Sequence, residues 1–196
     1  MDLETLRRKI EAALADRPRR VVDSAGLIPA AVLLLLTNRA EPHVVFAKRT
    51  EQVARHRGQY SFPGGIVETW DGSRLEAALR EAKEEIGLPP EAVEILGTLD
   101  DTETSATQFV ITPFVGLIRQ PVSYAPDGKE IERVLEVPLA ALLDPANVRV
   151  EMWERDGEAH LVYFYEHGGE TIWGATARIL KQFLDLLGPE AASERP

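Results

Sequence analysis

Cysteine is absent from the 196 residues, which excludes disulfide staples, thiolate metal sites and thiol nucleophiles and suits a reducing compartment. Long apolar runs are absent too. The longest, Ala30 to Leu36, has strand length, well short of the ~20 residues of a membrane-spanning helix. Basic charge is in short supply, with 22 Lys and Arg against 32 Asp and Glu and a net charge of −10. That balance argues against a duplex nucleic-acid partner, so an anionic ligand has to be received by local cations. His160 and His167 lack metal-ligand spacing, and neither a Ser-His-Asp constellation nor a phosphate-binding P-loop occurs. Met1-Asp2-Leu3-Glu4 has neither the basic nor the apolar part of a signal peptide, so cytoplasmic residence with no membrane partner is expected. No repeat divides the chain. With 44% hydrophobic residues spread evenly, one domain over residues 1–196 is expected.

What is present is a dense acidic cluster, Arg80-Glu81-Ala82-Lys83-Glu84-Glu85, shortly before Gly87 and fifteen residues after Gly64-Gly65. On a helix, residues three and four apart share a face, so Glu81, Glu84 and Glu85 offer their carboxylates together. Oxygen-rich clusters of this kind suit Mg²⁺ or Mn²⁺. A plain acidic surface helix would carry the same glutamates, but Leu75, Ala78, Leu79, Ala82 and Ile86 form an apolar stripe beside them that docks the helix. Ser73 with Glu76 reads as a capping box, and Gly87-Leu88-Pro89-Pro90 reads as a helix stop. Upstream, Phe62-Pro63-Gly64-Gly65 ends a strand in a turn that brings backbone close to a ligand.

The remaining pattern predicts an opening helix at about 3–16 and a basic linker, Arg17-Pro18-Arg19-Arg20, running as a solvated tether. Strands are expected at Ala30 to Leu36, Val44 to Lys48, Gln59 to Phe62, Val93 to Leu99, Phe109 to Ile118, Val148 to Trp153 and Leu161 to Tyr165. A short helix near Leu139 to Leu143 and a closing helix at about 175–187 complete the order. That order favours an α+β or layered α/β sandwich over a doubly wound parallel sheet.

The stretch from Gly65 to Leu88 resembles the Nudix box of the Nudix hydrolases. It departs from that box at Asp71, where the box has Glu, and in having eight rather than seven residues between that position and Arg80. Both departures are similar to the coenzyme A pyrophosphatase-like subgroup. So are Phe46-Ala47-Lys48-Arg49-Thr50, His56-Arg57-Gly58-Gln59, Thr112-Pro113-Phe114-Val115-Gly116, Glu136-Val137-Pro138-Leu139 and Ile172-Trp173-Gly174-Ala175-Thr176-Ala177. In that subgroup an Arg usually precedes the His by two residues; here the position is Ala54, with Arg55 one place later.

The resemblance implies an α/β/α sandwich with a mixed sheet and the loop-helix-loop of the box at about 65–88. It implies a metal-dependent pyrophosphohydrolase of coenzyme A or its thioesters, with ADP-ribose, NADH or a dinucleoside polyphosphate as alternative substrates and a non-catalytic nucleotide sensor as the remaining option. The carbonyl of Gly65 joins Glu81, Glu84 and Glu85 as a metal ligand. Arg80 braces a glutamate, while Arg49, Arg55, His56, Arg57 and Gly64 meet the substrate. The base comes either from the box or from a later loop, for which Asp127-Gly128-Lys129-Glu130 offers Glu130, with Glu132 close by. The partners expected are thus Mg²⁺ or Mn²⁺ and a small nucleotide-derived substrate, leaving room for a homodimer. Asp100-Asp101-Thr102-Glu103 is read as a cleft border or an ordinary acidic turn. Trp153, Trp173, Tyr163, Phe164 and Tyr165 are read as core or interface aromatics.

Overall fold

The structure, a computed structural model, describes residues 2–15, 17–53, 56–104, 108–155 and 157–188. It is built around β1 (Ile28–Asn38), a run of branched and apolar residues of the kind that only a strand buried on both faces can carry. β1 pairs antiparallel with β2 (Pro42–Arg49) and parallel with β7 (Phe109–Ile118), so the sheet is mixed. β3 (Tyr60–Ser61) and β8 (Ile131–Pro138) flank β2, and β4 (Gly64–Ile66) pairs with the start of β1. β5 (Val93–Thr98) and β6 (Thr102–Thr104) both pair with β7, giving eight strands in all. A second sheet has three strands, β9 (Val148–Arg155), β10 (Glu158–His167) and β11 (Glu170–Ile172), in the order β11-β10-β9.

Alternation along β1 and β2 divides the core in two. Ala31, Leu33, Leu35, Val45 and Ala47 face one side, where Ala78, Ala82 and Ile86 of helix α2 (Arg74–Ile86) cover them. Leu34, Leu36, Val44 and Phe46 face the other side. There Leu6 and Ile10 of α1 (Leu3–Ala15) and Leu180, Phe183 and Leu187 of α4 (Gly174–Leu187) close over them, with α3 (Leu139–Leu142) at the edge. The result is the expected α/β/α sandwich.

Four strands lie outside the sequence expectation: β4, β6, β8 and β11. Three are only three residues long, and β8 alternates without a clean apolar face because both its sides are half-covered. The tether is also corrected. Arg17 grips Asp100 with two hydrogen bonds of 3.0 and 2.8 Å, Arg19 pairs with Asp101 and donates to the Leu99 carbonyl, and the Asp101 backbone N–H donates to the Arg20 carbonyl at 3.0 Å. The linker is therefore fastened to the β5–β6 turn. Asp100 and Asp101 are its anchors.

Candidate active site

Helix α2 opens with Ser73 accepting the Glu76 N–H at 3.1 Å, while the Glu76 carboxylate reaches one residue further back than a capping box requires, to the Gly72 N–H at 2.9 Å. It closes at Gly87, whose φ of +70° is the left-handed conformation that lets its N–H return to Ala82 and Lys83. Between these ends the acidic residues sit at three depths. The Glu84 side chain is 60% exposed, that of Glu81 21% and that of Glu85 7%. Glu85 is covered by the turn into β4, and its carboxylate accepts the Gly64 N–H at 3.0 Å. Gly64 has a φ of +140°, and a Cβ there would lie 2.3 Å from the Ala31 carbonyl oxygen, so only glycine fits. At Gly65 a Cβ would stand 2.7 Å from the Glu81 carboxyl carbon, so this backbone approaches the acid as closely as it does only because the side chain is missing.

Arg80 connects three carboxylates. Its Nε and Nη2 hold Asp71 at 3.0 Å each, and Nη1 donates to Glu81 at 2.7 Å and to Glu84 at 3.3 Å. The bidentate grip holds the Asp71 carboxyl below the usual range. Asp71 thus secures the box loop, a role that its position in the sequence did not reveal.

The loop before β8 brings in a fourth glutamate. Its Ala125 and Asp127 N–H groups donate to the Ile86 and Glu85 carbonyls at 2.8 and 3.0 Å, so it caps the end of α2. The Asp127 carboxylate then accepts the N–H groups of Lys129, Glu130 and Ile131. Against the upward push of burial, these bonds hold Asp127 below its ordinary pKa. On the other side the Thr50 N–H donates to the Glu130 carbonyl at 2.8 Å and its hydroxyl to that of Lys129 at 2.8 Å. Asp127 and Thr50 stood in stretches that the sequence singled out, but without a role of their own; the Asp-Gly turn was the available signal. Arg49, at a register shift where β2 meets β8, donates to Glu130 at 3.1 Å and stands 4.0 Å from Glu85.

Among the described residues, Asp71, Glu81, Glu84, Glu85 and Glu130 are thereby gathered around Arg49 and Arg80. Burial pushes the Glu85 carboxyl up to about 8; the Gly64 N–H opposes this, and Glu81 and Glu130 add to it. Burial also raises Glu81, against the hydrogen bond from Arg80.

His56 and Arg57 lie in the turn after β2. His56 Nδ1 meets the Gln59 side-chain oxygen at 2.9 Å and Arg57 Nε donates to the Val53 carbonyl at 2.9 Å. Ala54 and Arg55 lie outside the described residues. Glu132 is exposed on β8. Trp153, Phe164 and Trp173 pack on one another at centroid distances of 6.0 to 6.2 Å, as an aromatic cluster of the smaller sheet.

The NUDIX domain pattern matches residues 27–158, more than half of the chain. This chain belongs to the Nudix hydrolase family. It is 37% identical over 172 residues to the "Uncharacterized Nudix hydrolase NudL" of Enterobacter sp. (strain 638), covering 88% of this chain and 89% of the relative. The NudL of Salmonella typhimurium is 36% identical over 174 residues with the same coverage. Among solved structures, the MutT/nudix family protein from Enterococcus faecalis matches with a TM-score of 0.53 at 15% identity, over 96% of this chain and 80% of that one, which supports the fold.

Nudix hydrolases act on phosphoanhydride-type substrates and generally use divalent metal ions. Among the described residues no three acidic or imidazole side chains already converge as a metal cage, because Arg80 and Arg49 hold several of the oxygens. The donor set nonetheless fits a hard divalent cation. Its carboxylates outnumber its guanidinium groups, Glu85 is raised by burial and then by the neighbouring Glu81 and Glu130, and glycine at position 65 leaves the backbone open beside Glu81.

Proposed function

We propose that this Nudix hydrolase cleaves the phosphoanhydride of coenzyme A or its thioesters to 3′,5′-ADP and 4′-phosphopantetheine. The hydrolytic part of the reading is supported by the fixed loop of Asp127 and Thr50, which holds Glu130 beside Glu81 and Glu85 at the end of the box helix, and the coenzyme A part by the likeness of Asp71 and of His56-Arg57-Gly58-Gln59 to the coenzyme A pyrophosphatase-like subgroup. Glu81, Glu84, Glu85 and the Gly65 carbonyl are the proposed ligands of Mg²⁺ or Mn²⁺, which would neutralise the diphosphate oxygens and acidify a water. Glu130 takes the proton of the attacking water as its oxygen bonds to phosphorus and the anhydride P–O bond breaks. Arg80 orients Glu81 and Glu84. Arg49, already at the acidic cluster, exchanges Glu130 for a substrate phosphate oxygen, and the Gly64 turn lines the diphosphate. Arg55, His56 and Arg57 receive the phosphate at the nucleotide end. The whole of residues 1–196 acts as one domain in the cytoplasm, with no nucleic-acid partner.

The departure at Ala54 favours a second reading, hydrolysis of another nucleoside diphosphate derivative such as ADP-ribose, NADH or a dinucleoside polyphosphate. A non-catalytic sensor is disfavoured, since it has no use for the intact acidic cluster. The purified protein with Mg²⁺ should turn over coenzyme A faster than ADP-ribose, NADH and diadenosine polyphosphate. In addition, Arg55→Ala should lower kcat/KM for coenzyme A about tenfold more than for dephospho-coenzyme A, the worth of a charge-assisted contact to the 3′-phosphate. Preference for ADP-ribose, or equal losses on both coenzymes, would move the assignment to the second reading.

A further inference from the structure

The three-stranded sheet ends in the three-residue β11 on one side and in the eight-residue β9 on the other. β10 is paired on both edges, by β9 along eight consecutive residue pairs and by β11, whereas among the described residues no strand pairs with the outer edge of β9. Edge strands in soluble proteins are usually blunted by short length, proline, a bulge or side chains of one charge, whereas the charges of β9 at Arg149 and Glu151 are of opposite sign. β9 is Val-Arg-Val-Glu-Met-Trp-Glu-Arg, with no proline, and its register with β10 is unbroken. The face of β9 that carries Val148, Val150 and Met152 continues across to Tyr165, Tyr163 and Leu161 of β10. At the root of this face Tyr165 is buried in the core. Towards the tip Val150 is 47% exposed, Met152 67% and Leu161 51%. An unpaired edge and an exposed apolar face thus coincide on one strand.

The geometry points to a second copy of this chain as the occupant, its β9 pairing antiparallel with this β9 about a two-fold axis through Val150. The two small sheets then form one continuous sheet of six strands. A two-fold axis that makes strands antiparallel stands perpendicular to the sheet, so each residue must face one on the same side of its own strand, and only registers centred on a residue are allowed. Centred on Val150, the register places Arg149 opposite Glu151 of the second copy and Glu151 opposite its Arg149. Val148 and Met152 face Met152 and Val148 across a shared apolar strip. Centring on Arg149 or Glu151 sets a like charge against itself, which is unfavourable. Centring on Met152 or Trp153 sets Val150 or Met152 opposite Glu154. The segment Val148 to Met152, apolar-basic-apolar-acidic-apolar, is complementary to its own reverse. That property serves a second copy and has no value towards an unrelated strand. Within one copy Arg149 already pairs with Glu151 and Glu166 and lies 4.1 Å from the Phe164 ring centroid, so the charges are presented in fixed positions at the edge.

The absence of cysteine makes a direct test available. Sedimentation velocity of the full chain from about 1 to 100 μM should show a species of twice the 21.7 kDa chain mass that gains weight with concentration. Val150→Cys should cross-link to a disulfide dimer under mild oxidation, because the two residues face each other at about 5 Å between Cα atoms. Met152→Cys should not, being displaced from its counterpart by four residues, roughly 13 Å along the strand. Arg149→Glu and Glu151→Arg should each weaken dimerisation about tenfold, and the double exchange should restore it to within about threefold. A protein that stays monomeric throughout, cysteine variants that cross-link equally, or a double exchange as weak as the singles would each overturn the proposal. The charge variants sit on exposed side chains, and circular dichroism should confirm their fold.

Discussion

The carboxyl of Glu85 lies under the Gly64 turn, and burial, reinforced by Glu81 and Glu130, pushes its pKa up to about 8 from an ordinary 4.5. A raised folded-state pKa contributes stability that is complete below about pH 4.5 and lost as pH rises through about 8. The metal-free protein should therefore melt at lower temperature at pH 8.5 than at pH 5, and Glu85→Gln should flatten that slope by removing the buried charge. Thermal melts of the two proteins across this range decide it; equal slopes would assign the loss to other groups. A divalent cation needs the ionised form, so Mg²⁺ affinity should climb through pH 8 with release of a proton. Calorimetric titration in buffers of different ionisation heat reads this directly. The rate should rise from acid towards alkaline conditions for the same reason. The same Glu85→Gln change, and Glu84→Gln, should lower turnover about a hundredfold or more at saturating Mg²⁺ with the fold retained. Near-normal turnover in both would remove the acidic cluster from the chemistry.

At the scale of elements, the loop before β8 is fastened at one end to α2 through Ala125 and Asp127 and at the other to β2 through Thr50. Asp127 is its internal organiser, accepting three successive N–H groups. Asp127→Ala leaves those donors without their acceptor and should cost about 1–3 kcal/mol. It should also lower kcat about tenfold, since Glu130 then lacks a fixed position. Amide hydrogen exchange at Glu130 and Ile131 should accelerate in this variant. Glu130→Gln should lower kcat while leaving that exchange unchanged, which separates loss of the proposed base from loss of its placement. A full-speed Asp127→Ala enzyme with accelerated exchange would mean that the chemistry does not depend on the loop.

Across the whole molecule, the chain entering β1 is held by an ion-pair network that reaches the start of the box helix. The buried Asp101 carboxylate accepts from Arg19, from the Thr112 hydroxyl at 2.7 Å and from the Val22 N–H at 3.1 Å, with Arg74 at 3.7 Å. Because Arg74 is the first residue of α2, this network links the N-terminal linker, the β5–β6 turn and the start of the box helix. Asp101→Ala strands two arginines and should cost about 3–5 kcal/mol, a fall in Tm of roughly 6–20 °C. Arg8→Ala on the exposed face of α1 should leave Tm almost unchanged. Calorimetric melts of both proteins test this, and a small effect at Asp101 would show that the linker is dispensable to the fold.

Periodicity and spacing were enough to determine the box helix, its Ser73 and Gly87 ends, a strand at β1 and the run of acidic residues, because these depend on contacts within a few residues or on whether a segment is apolar. The short strands β4, β6 and β11 exist only through their partners, and β8 has no face apolar enough to announce itself. Tertiary structure alone decided that Glu81, Glu84 and Glu85 lie at different depths, since the Gly64 turn that buries Glu85 comes from a strand twenty-one residues away. It also brought Arg49 and Glu130, eighty-one residues apart, to the same carboxylates, and turned Arg17 and Arg19 from a solvated tether into a clasp on Asp100 and Asp101. Charges of opposite sign far apart in sequence carry no signal of pairing. Their partners are chosen by which strands the hydrophobic core aligns.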